Sequence, residues 1–228
     1  MGDAVRVLST LALKGAVHSL AGQFEVASGI RIDADFAPTL ALLDRLRGAE
    51  SADVVILTRE GLDQLAREER VVADSCVDLA RSYVGLAVKA GAVHPDIATE
   101  LALRAALLGA RSVAYSRIGA SGILFAQLIE RLAIASEINA RATIIPQGFT
   151  AERLVTDEAD LAVQQISELM QVGGIEVIGP IPYALQTPAV FSAGRMAASA
   201  KVDPSDRLLR FLASPEVAPV LRASGLEK

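Results

Sequence analysis

Cysteine, histidine and tryptophan are scarce in this chain: one cysteine, two histidines and no tryptophan in 228 residues. Cys76 is alone, which excludes a disulfide framework and a thiolate metal cluster; as a single residue it reads as a small buried hydrophobe. His18 and His94 are too few for a zinc site to be expected, and no metal or cofactor motif is found. No stretch of about 18 uninterrupted apolar residues occurs, so no membrane insertion is expected. Positive charge is also short: 22 Lys+Arg against 27 Asp+Glu, a net charge of −5, and no basic run. That balance argues against nucleic acid as a partner. It does not bar a small anion, because anion binding depends on local N–H groups and one or two cations. The N-terminus, MGDAVRVLSTLALKGAV, lacks the form of a signal peptide: Asp3 and Arg6 interrupt it, and its apolar run ends at Lys14 with no small-residue cleavage site beyond. The expectation is a cytoplasmic protein; a chain trimmed at a cleavage site and restarted with Met would instead be periplasmic.

What is present is a composition that builds a core, 52% apolar and 21% charged, in a length that suits one large domain or two small lobes. Residues 5–10 read as a strand, followed by a helix from about Ala12 with Leu13, Val17, Leu20 and Phe24 on one face, ending near Gly29. Ile30 to Phe36 alternates as a half-buried strand, Ala37-Pro38-Thr39 turns into a helix over 40–47, and ADVVILT (52–58) has the continuous apolar character of a buried parallel strand. A third helix is expected over 59–69. Strand and helix alternate here as in a doubly wound α/β unit.

Residues 76–91 read as one longer extended stretch, and a helix is expected after Pro95 to about Leu108. The central stretch VAYSRIGASGILFAQLIERL (113–132) passes from a strand end through a small polar turn into an amphipathic helix. Ser121 stands where an N-cap would, and a helix start carries roughly half a positive charge that can hold an anion. Arg117 adds a full charge within a turn of it. RATII (141–145) reads as a strand, Thr150 as the cap of a short helix, ADLAVQQ (159–165) as a strand entering a polar tip, and IEVI (175–178) and PAVF (188–191) as strands around a proline-punctuated link. Asp203-Pro204 and Ser214-Pro215 read as cap-plus-proline starts of the last two helices, with Gly225 as the stop. The expected fold is α/β: two doubly wound lobes joined by two crossing segments, lobe 1 formed by 1–80 plus 191–228 and lobe 2 by 81–190, closing on a ligand in a cleft.

Four stretches carry a resemblance: LSTLALKGAVHSLAGQFEVASGIRIDADFAPTLALLDRL, GAESADVVILT, SRIGASGILFAQLIERLAI, and DEADLAVQQ after a short helix, with LLRFLASPEVAPVLRASGL as a matching tail. Together they resemble the type II solute-binding protein fold and, within it, the molybdate-binding protein family, over almost the whole chain. The resemblance implies a tetrahedral oxyanion held by hydroxyls and N–H groups at helix starts. On this sequence those positions fall at Ser9-Thr10-Leu11-Ala12, Pro38-Thr39, Ala120-Ser121-Gly122, Pro146-Gln147-Gly148 and Gln164.

The chain departs from that pattern at three points. Ala12 replaces the first serine, Gln164 replaces a tyrosine, and Arg117 is an extra cation. An arginine fork suits a carboxylate, so the departures favour an organic carboxylate over molybdate. An enzymatic branch similar to this family, the aconitate isomerases, implies a runner-up: an isomerase that shifts a double bond in an unsaturated tricarboxylate by allylic proton transfer. Lys14, His18 and Tyr115 are the nearby residues available as its acid or base, and Lys14 is the candidate catalytic residue.

Plainer roles stand beside these. Thr10, Thr39 and Ser121 can each cap a helix, Arg117 can be a surface charge, and Gln147, Gln164 and Gln165 can satisfy backbone groups. Lys14 can be a solvated helix residue, His18 structural and Tyr115 core. The ligand-binding set is therefore Ser9, Thr10, Leu11, Thr39, Arg117, Ser121, Gly122, Gln147 and Gln164. The partner is a small anionic ligand; oligomeric state has no sequence signal, and a scaffold role without a ligand has no positive feature.

Overall fold

The first strand, β1 (Ala4–Thr10), turns through a 3-10 segment (Leu11–Leu13) into α1 (Lys14–Ser28). Next come β2 (Arg31–Ala37), α2 (Thr39–Arg47), β3 (Val54–Thr58), α3 (Arg59–Arg67) and β4 (Val77–Ser82). The chain continues through β5 (Val84–Lys89), α4 (Glu100–Gly109), β6 (Val113–Ser116), α5 (Ala120–Arg131) and α6 (Ala135–Asn139). It then runs through β7 (Thr143–Ile145), α7 (Glu152–Val155), β8 (Leu161–Gln165), α8 (Ile166–Leu169) and β9 (Ile175–Pro180). It closes with β10 (Ala189–Arg195), α9 (Val202–Ala213) and α10 (Ala218–Ala223). This computed structural model describes residues 3–48 and 50–228. Met1 and Gly2 of the N-terminal reading, and Ala49 within GAESADVVILT, lie outside the described residues.

Two units divide the chain: residues up to Ser82 with Ala189–Lys228, and Tyr83–Pro188. The first is built on a five-stranded sheet in the order β2-β1-β3-β10-β4. β1 is parallel to both β2 and β3, while β10 is antiparallel to β3 and β4. β3 is buried at every position, as a central strand covered on both faces must be. On α1, Ala16, Val17, Leu20 and Phe24 are buried at the 3.6 period, whereas His18 and Ser19 are exposed. Gly29 ends the helix in the left-handed region (φ 73°), its N–H donating to the Glu25 carbonyl at 2.8 Å. Leu208, Leu209 and Leu212 of α9 and Leu221 of α10 complete the same core. Each such side chain contributes roughly 1.5–3 kcal/mol on burial.

The second unit has its own five-stranded sheet, β7-β6-β8-β5-β9. β6 is parallel to β7 and β8, and β5 is antiparallel to β8 and β9. Its core joins Val113 and Tyr115 of β6 to Leu103 and Leu107 of α4 and to Phe125, Leu128 and Ile129 of α5. In both units the parallel strands end at one edge of the sheet and each runs into a helix or turn there. In open α/β sheets that carboxyl edge is where ligands bind.

Several local expectations are corrected. Residues 76–91 are two strands, β4 and β5, which belong to different units and break at Tyr83. Ser121 does not cap α5: Gly119 occupies the N-cap and Ser121 is the second helical residue. Thr150 does not cap α7, whose N-cap is Ala151, and Lys201 rather than Asp203 precedes α9. In each case the cap lies one or two residues away, because a hydroxyl or carboxylate near a helix start signals the start without setting its first residue. α6 and α8 were not anticipated; at five and four residues they are too short for a hydrophobic period.

Candidate functional site

At the carboxyl edge of the second unit, β6 ends in Ser116, whose Oγ accepts the Ile118 N–H at 3.3 Å and tightens the turn. Gly119 caps α5 in extended backbone (φ −92°, ψ 157°). Ser121 and Gly122 are buried in its first turn. A Cβ built on Gly122 would lie 1.3 Å from the Ser116 carbonyl oxygen, so the helix start rests directly on the strand end and only glycine fits. The N–H groups of Ala120, Ser121 and Gly122, in that first turn, have no intrahelical acceptor by helix geometry and form an electropositive end.

Arg117 is exposed beside this helix start, and its guanidinium donates to Asn139 Oδ1 at 3.3 Å. The Tyr115 hydroxyl donates to the same oxygen. Tyr115 is 1% exposed and meets Phe125 edge-to-face at 5.0 Å, which makes it a core residue that anchors Asn139 rather than an acid or base. Asn139, the last residue of α6, thus orients Arg117.

After β7, Gln147 is exposed and Gly148 takes φ +83°. The turn is held from behind by Gln164. Gln164 Oε1 accepts the Thr150 N–H at 2.8 Å and the Thr150 hydroxyl at 3.1 Å, and its Nε2 donates to the Gly148 carbonyl at 3.1 Å. At 3% exposure, with both amide atoms engaged, Gln164 supports the turn that presents Gln147. Behind it, the carboxyl of Glu168 in α8 accepts the Gln165 N–H at 3.2 Å and interacts with the Gln164 side chain. Burial pushes Glu168 up to about 8 against the hydrogen bonds that lower it, so the group is largely protonated at neutral pH.

The first unit has a different edge. Ser9 is fully buried, and its Oγ donates to the Thr10 carbonyl at 3.1 Å. Thr10 precedes the 3-10 segment, is 3% exposed, and its Oγ1 has no hydrogen-bond partner among the described residues. Leu11 is buried. Register places Thr10 opposite Ala37, so the β1 turn and the Pro38-Thr39 start of α2 are neighbours. Pro38 is the N-cap of α2 and Thr39, 7% exposed, its first residue. Lys14 opens α1; His18 is exposed and meets Phe36 edge-on at 5.1 Å, a packing role.

Three residues at these edges escaped the sequence reading. Thr58 caps α3, its Oγ1 accepting the Gly61 N–H at 3.3 Å; a Thr before a charged run could have revealed it. Arg59, next along, donates to Asp63 at 2.9 Å and Asp78 at 3.0 Å and is neutralised by them. Asn139 had no signal, because its element is too short to read. Among the described residues no three His, Cys, Asp or Glu side chains gather as a metal site, and no helix is long and apolar enough to cross a membrane.

Two α/β units, each with hydroxyl- and glycine-bearing helix starts at the ends of parallel strands, define the type II solute-binding class. The chain belongs to the family described as bacterial extracellular solute-binding protein, which matches residues 5–227. It is 34% identical over 227 residues to an aconitate isomerase from a Pseudomonas species, covering 97% of this chain and 86% of that one. Among solved structures it is similar to the periplasmic molybdate-binding protein of Azotobacter vinelandii, with a TM-score of 0.83 and 16% identity over 98% of this chain and 99% of that one. It is also similar to a sulfate-binding protein of Mycobacterium tuberculosis, with a TM-score of 0.78 and 14% identity over 98% of this chain and 86% of that one. These structural likenesses show the fold.

Proposed function

We propose that this chain binds a small anion, an organic carboxylate, with the first-turn N–H groups of α5 and the Arg117 guanidinium as its principal donors. The observation that carries this reading is an exposed arginine, oriented by Asn139, beside a helix start that Gly122 seats against Ser116. The helix end supplies partial charge and the fork supplies a full one, in the planar geometry a carboxylate accepts. Ser121 belongs to that first turn, and Gln147 adds an amide from the neighbouring turn. Ser9, Thr10, the Leu11 N–H and Thr39 form a second set of neutral donors on the first unit. The unpartnered Thr10 hydroxyl supports that assignment, because a buried hydroxyl without a partner costs about 1–3 kcal/mol that a ligand can return.

A second reading is favoured by the isomerase among the relatives: proton transfer on an unsaturated tricarboxylate at the same donors. In that reaction a base removes an allylic proton, the double bond moves one position, and the proton returns to the far carbon, so atoms balance without a cofactor. Arg117 would stabilise the charge that develops on the carboxylate, and Lys14, at the start of α1, is the candidate base.

A thermal-shift screen against molybdate, sulfate, citrate and cis- and trans-aconitate tests both. A ligand at about 100 times its dissociation constant adds roughly 2.7 kcal/mol, a clear shift. Carboxylates are expected to stabilise, and stabilisation by the oxyanions alone would sink the carboxylate reading. Deuterium from solvent entering cis- or trans-aconitate at catalytic rates selects the isomerase; binding without exchange selects the receptor. The cytoplasmic placement expected from the N-terminal residues is weighed against the family's extracellular description by fractionating the cells that make the protein.

A further inference from the structure

The turn that carries Gln147 has a second layer that the anion reading leaves unused. Gln164 holds Gly148 and Thr150, and its own amide is in turn held by Glu168, a carboxyl only 8% exposed at the third residue of α8. α8 leaves the sheet at the end of β8, the same edge that presents the α5 start and the Gly148 turn. We propose that Glu168 is a positioning residue that sets the Gly148–Thr150 turn through Gln164 and makes anion binding at this edge proton-linked. The proposal rests on the anion-binding reading.

Protonated, Glu168 accepts the Gln165 N–H and meets Gln164 without placing charge behind an anion site. Ionised, it would put an uncompensated negative charge in a buried position on the side of the site from which the ligand must be repelled. Among the described residues no cation acts on its proton affinity, and Arg153 of α7, whose element shares a core cluster with α8, is paired with Glu158 at 2.9 Å. α8 packs on β5, β8 and β9, and β8 carries no charged residue. The charged groups on the other two are Lys89 of β5, which pairs with Asp157 at 2.7 Å, and Glu176 of β9, which binds His94 at 2.7 Å. Val88 pairs with Glu176 and Gly85 with Pro180, so both charges sit at the strand ends away from α8, whose Ile166 touches Gly85. Glu152 stands on the other side of the turn, its Oε2 3.8 Å from where a Cβ on Gly148 would be, and adds to the negative field. Burial holds the Glu168 proton to about 8. The carboxyl binds its proton more tightly folded than unfolded, where the value is 4.5. Its contribution to stability is therefore fully present below 4.5 and is lost as pH rises through about 8.

The test is an amide NMR titration of the 15N-labelled protein from about pH 6 to about pH 9.5, paired with calorimetric titration of cis-aconitate and of molybdate at both ends of that range. The Thr150 backbone and Gln164 side-chain amides are expected to shift together with a midpoint above about 7, and to stay flat in Glu168→Gln. Wild type is expected to lose about ten-fold more affinity than Glu168→Gln as pH rises, a comparison that cancels the ligand's own titration. Flat wild-type amides, a midpoint that survives in Glu168→Gln, or equal pH dependence of binding overturns the proposal. If neither probe binds wild type at either pH, the anion reading fails, while the amide titration still decides whether Glu168 governs the turn. Should Glu168→Gln not fold, Gln164→Met gives the second arm: the Thr150 amide is expected to lose its titration, and its persistence overturns the link.

Discussion

The two carboxyl edges of this protein are built from the same topology and differ in how they are satisfied. On the first unit, Thr10 buries a hydroxyl that no group among the described residues bonds, next to a fully buried Ser9 whose hydroxyl is spent on a carbonyl. On the second, two bonded clusters order the turns, Tyr115 and Arg117 on Asn139, and Gln164 on Gly148 and Thr150. The hydrogen-bond demand left unmet at this edge among the described residues lies at the β8–α8 junction, on Gln165 Oε1 and Ser167 Oγ. The first edge carries its unmet demand in the turn itself, at Thr10, whereas the turns of the second are ordered in advance around Arg117 and its unmet groups lie behind them. Preorganisation of the second lowers the ordering cost of binding, while the demand of the first rewards whatever supplies the missing bond.

The sharpest way to break the comparison is at Gly122. Gly122→Ala forces a Cβ onto the Ser116 carbonyl and is expected to cost more than about 3 kcal/mol, a fall of roughly 10 °C in Tm by thermal denaturation. Gly119→Ala, whose Cβ would meet nothing nearer than Ser116 Oγ at 4.0 Å, is the tolerated control. Equal Tm values for the two variants would mean that the helix start does not rest on the strand end. Arg117→Gln comes next. Because Arg117 is exposed, stability should move by less than about 0.5 kcal/mol. Affinity for the carboxylate that stabilises wild type should drop by about 10- to 100-fold, measured by calorimetry. Unchanged affinity would reduce Arg117 to a surface charge.

The smallest effect, and the one that separates the edges, is expected for Thr10→Val. Removing a buried hydroxyl that has no partner should raise the stability of the ligand-free protein by roughly 1 kcal/mol in denaturant unfolding. It should also weaken ligand binding by about five- to ten-fold. Higher stability with unchanged affinity would show that this hydroxyl serves no ligand.

Much of this was legible in the sequence. The spacing of Leu13, Val17, Leu20 and Phe24 places α1, and all four are buried. The unbroken run VVILT marks β3, and SRIGASG marks the strand-to-helix turn at Arg117 and Gly122. These are local patterns, written within one or two turns of chain, and hydrophobic period and turn chemistry are enough to read them. Ser121 shows the limit, since its residue type announces a helix start two positions from the true cap, Gly119.

What the tertiary structure alone decided is which polar groups are already taken. Gln164 read as a ligand donor until Thr150, fourteen residues away, and Gly148 were found to occupy its amide. Tyr115 read as a possible acid until its hydroxyl was found on Asn139, in a helix too short to have a period. Glu168 carried no signal at all, because an acidic residue in a short polar segment looks solvated until burial raises its proton affinity. Periodicity is a property of neighbours in sequence. Hydrogen-bond satisfaction and desolvation are properties of neighbours in space, and only the folded chain brings those together.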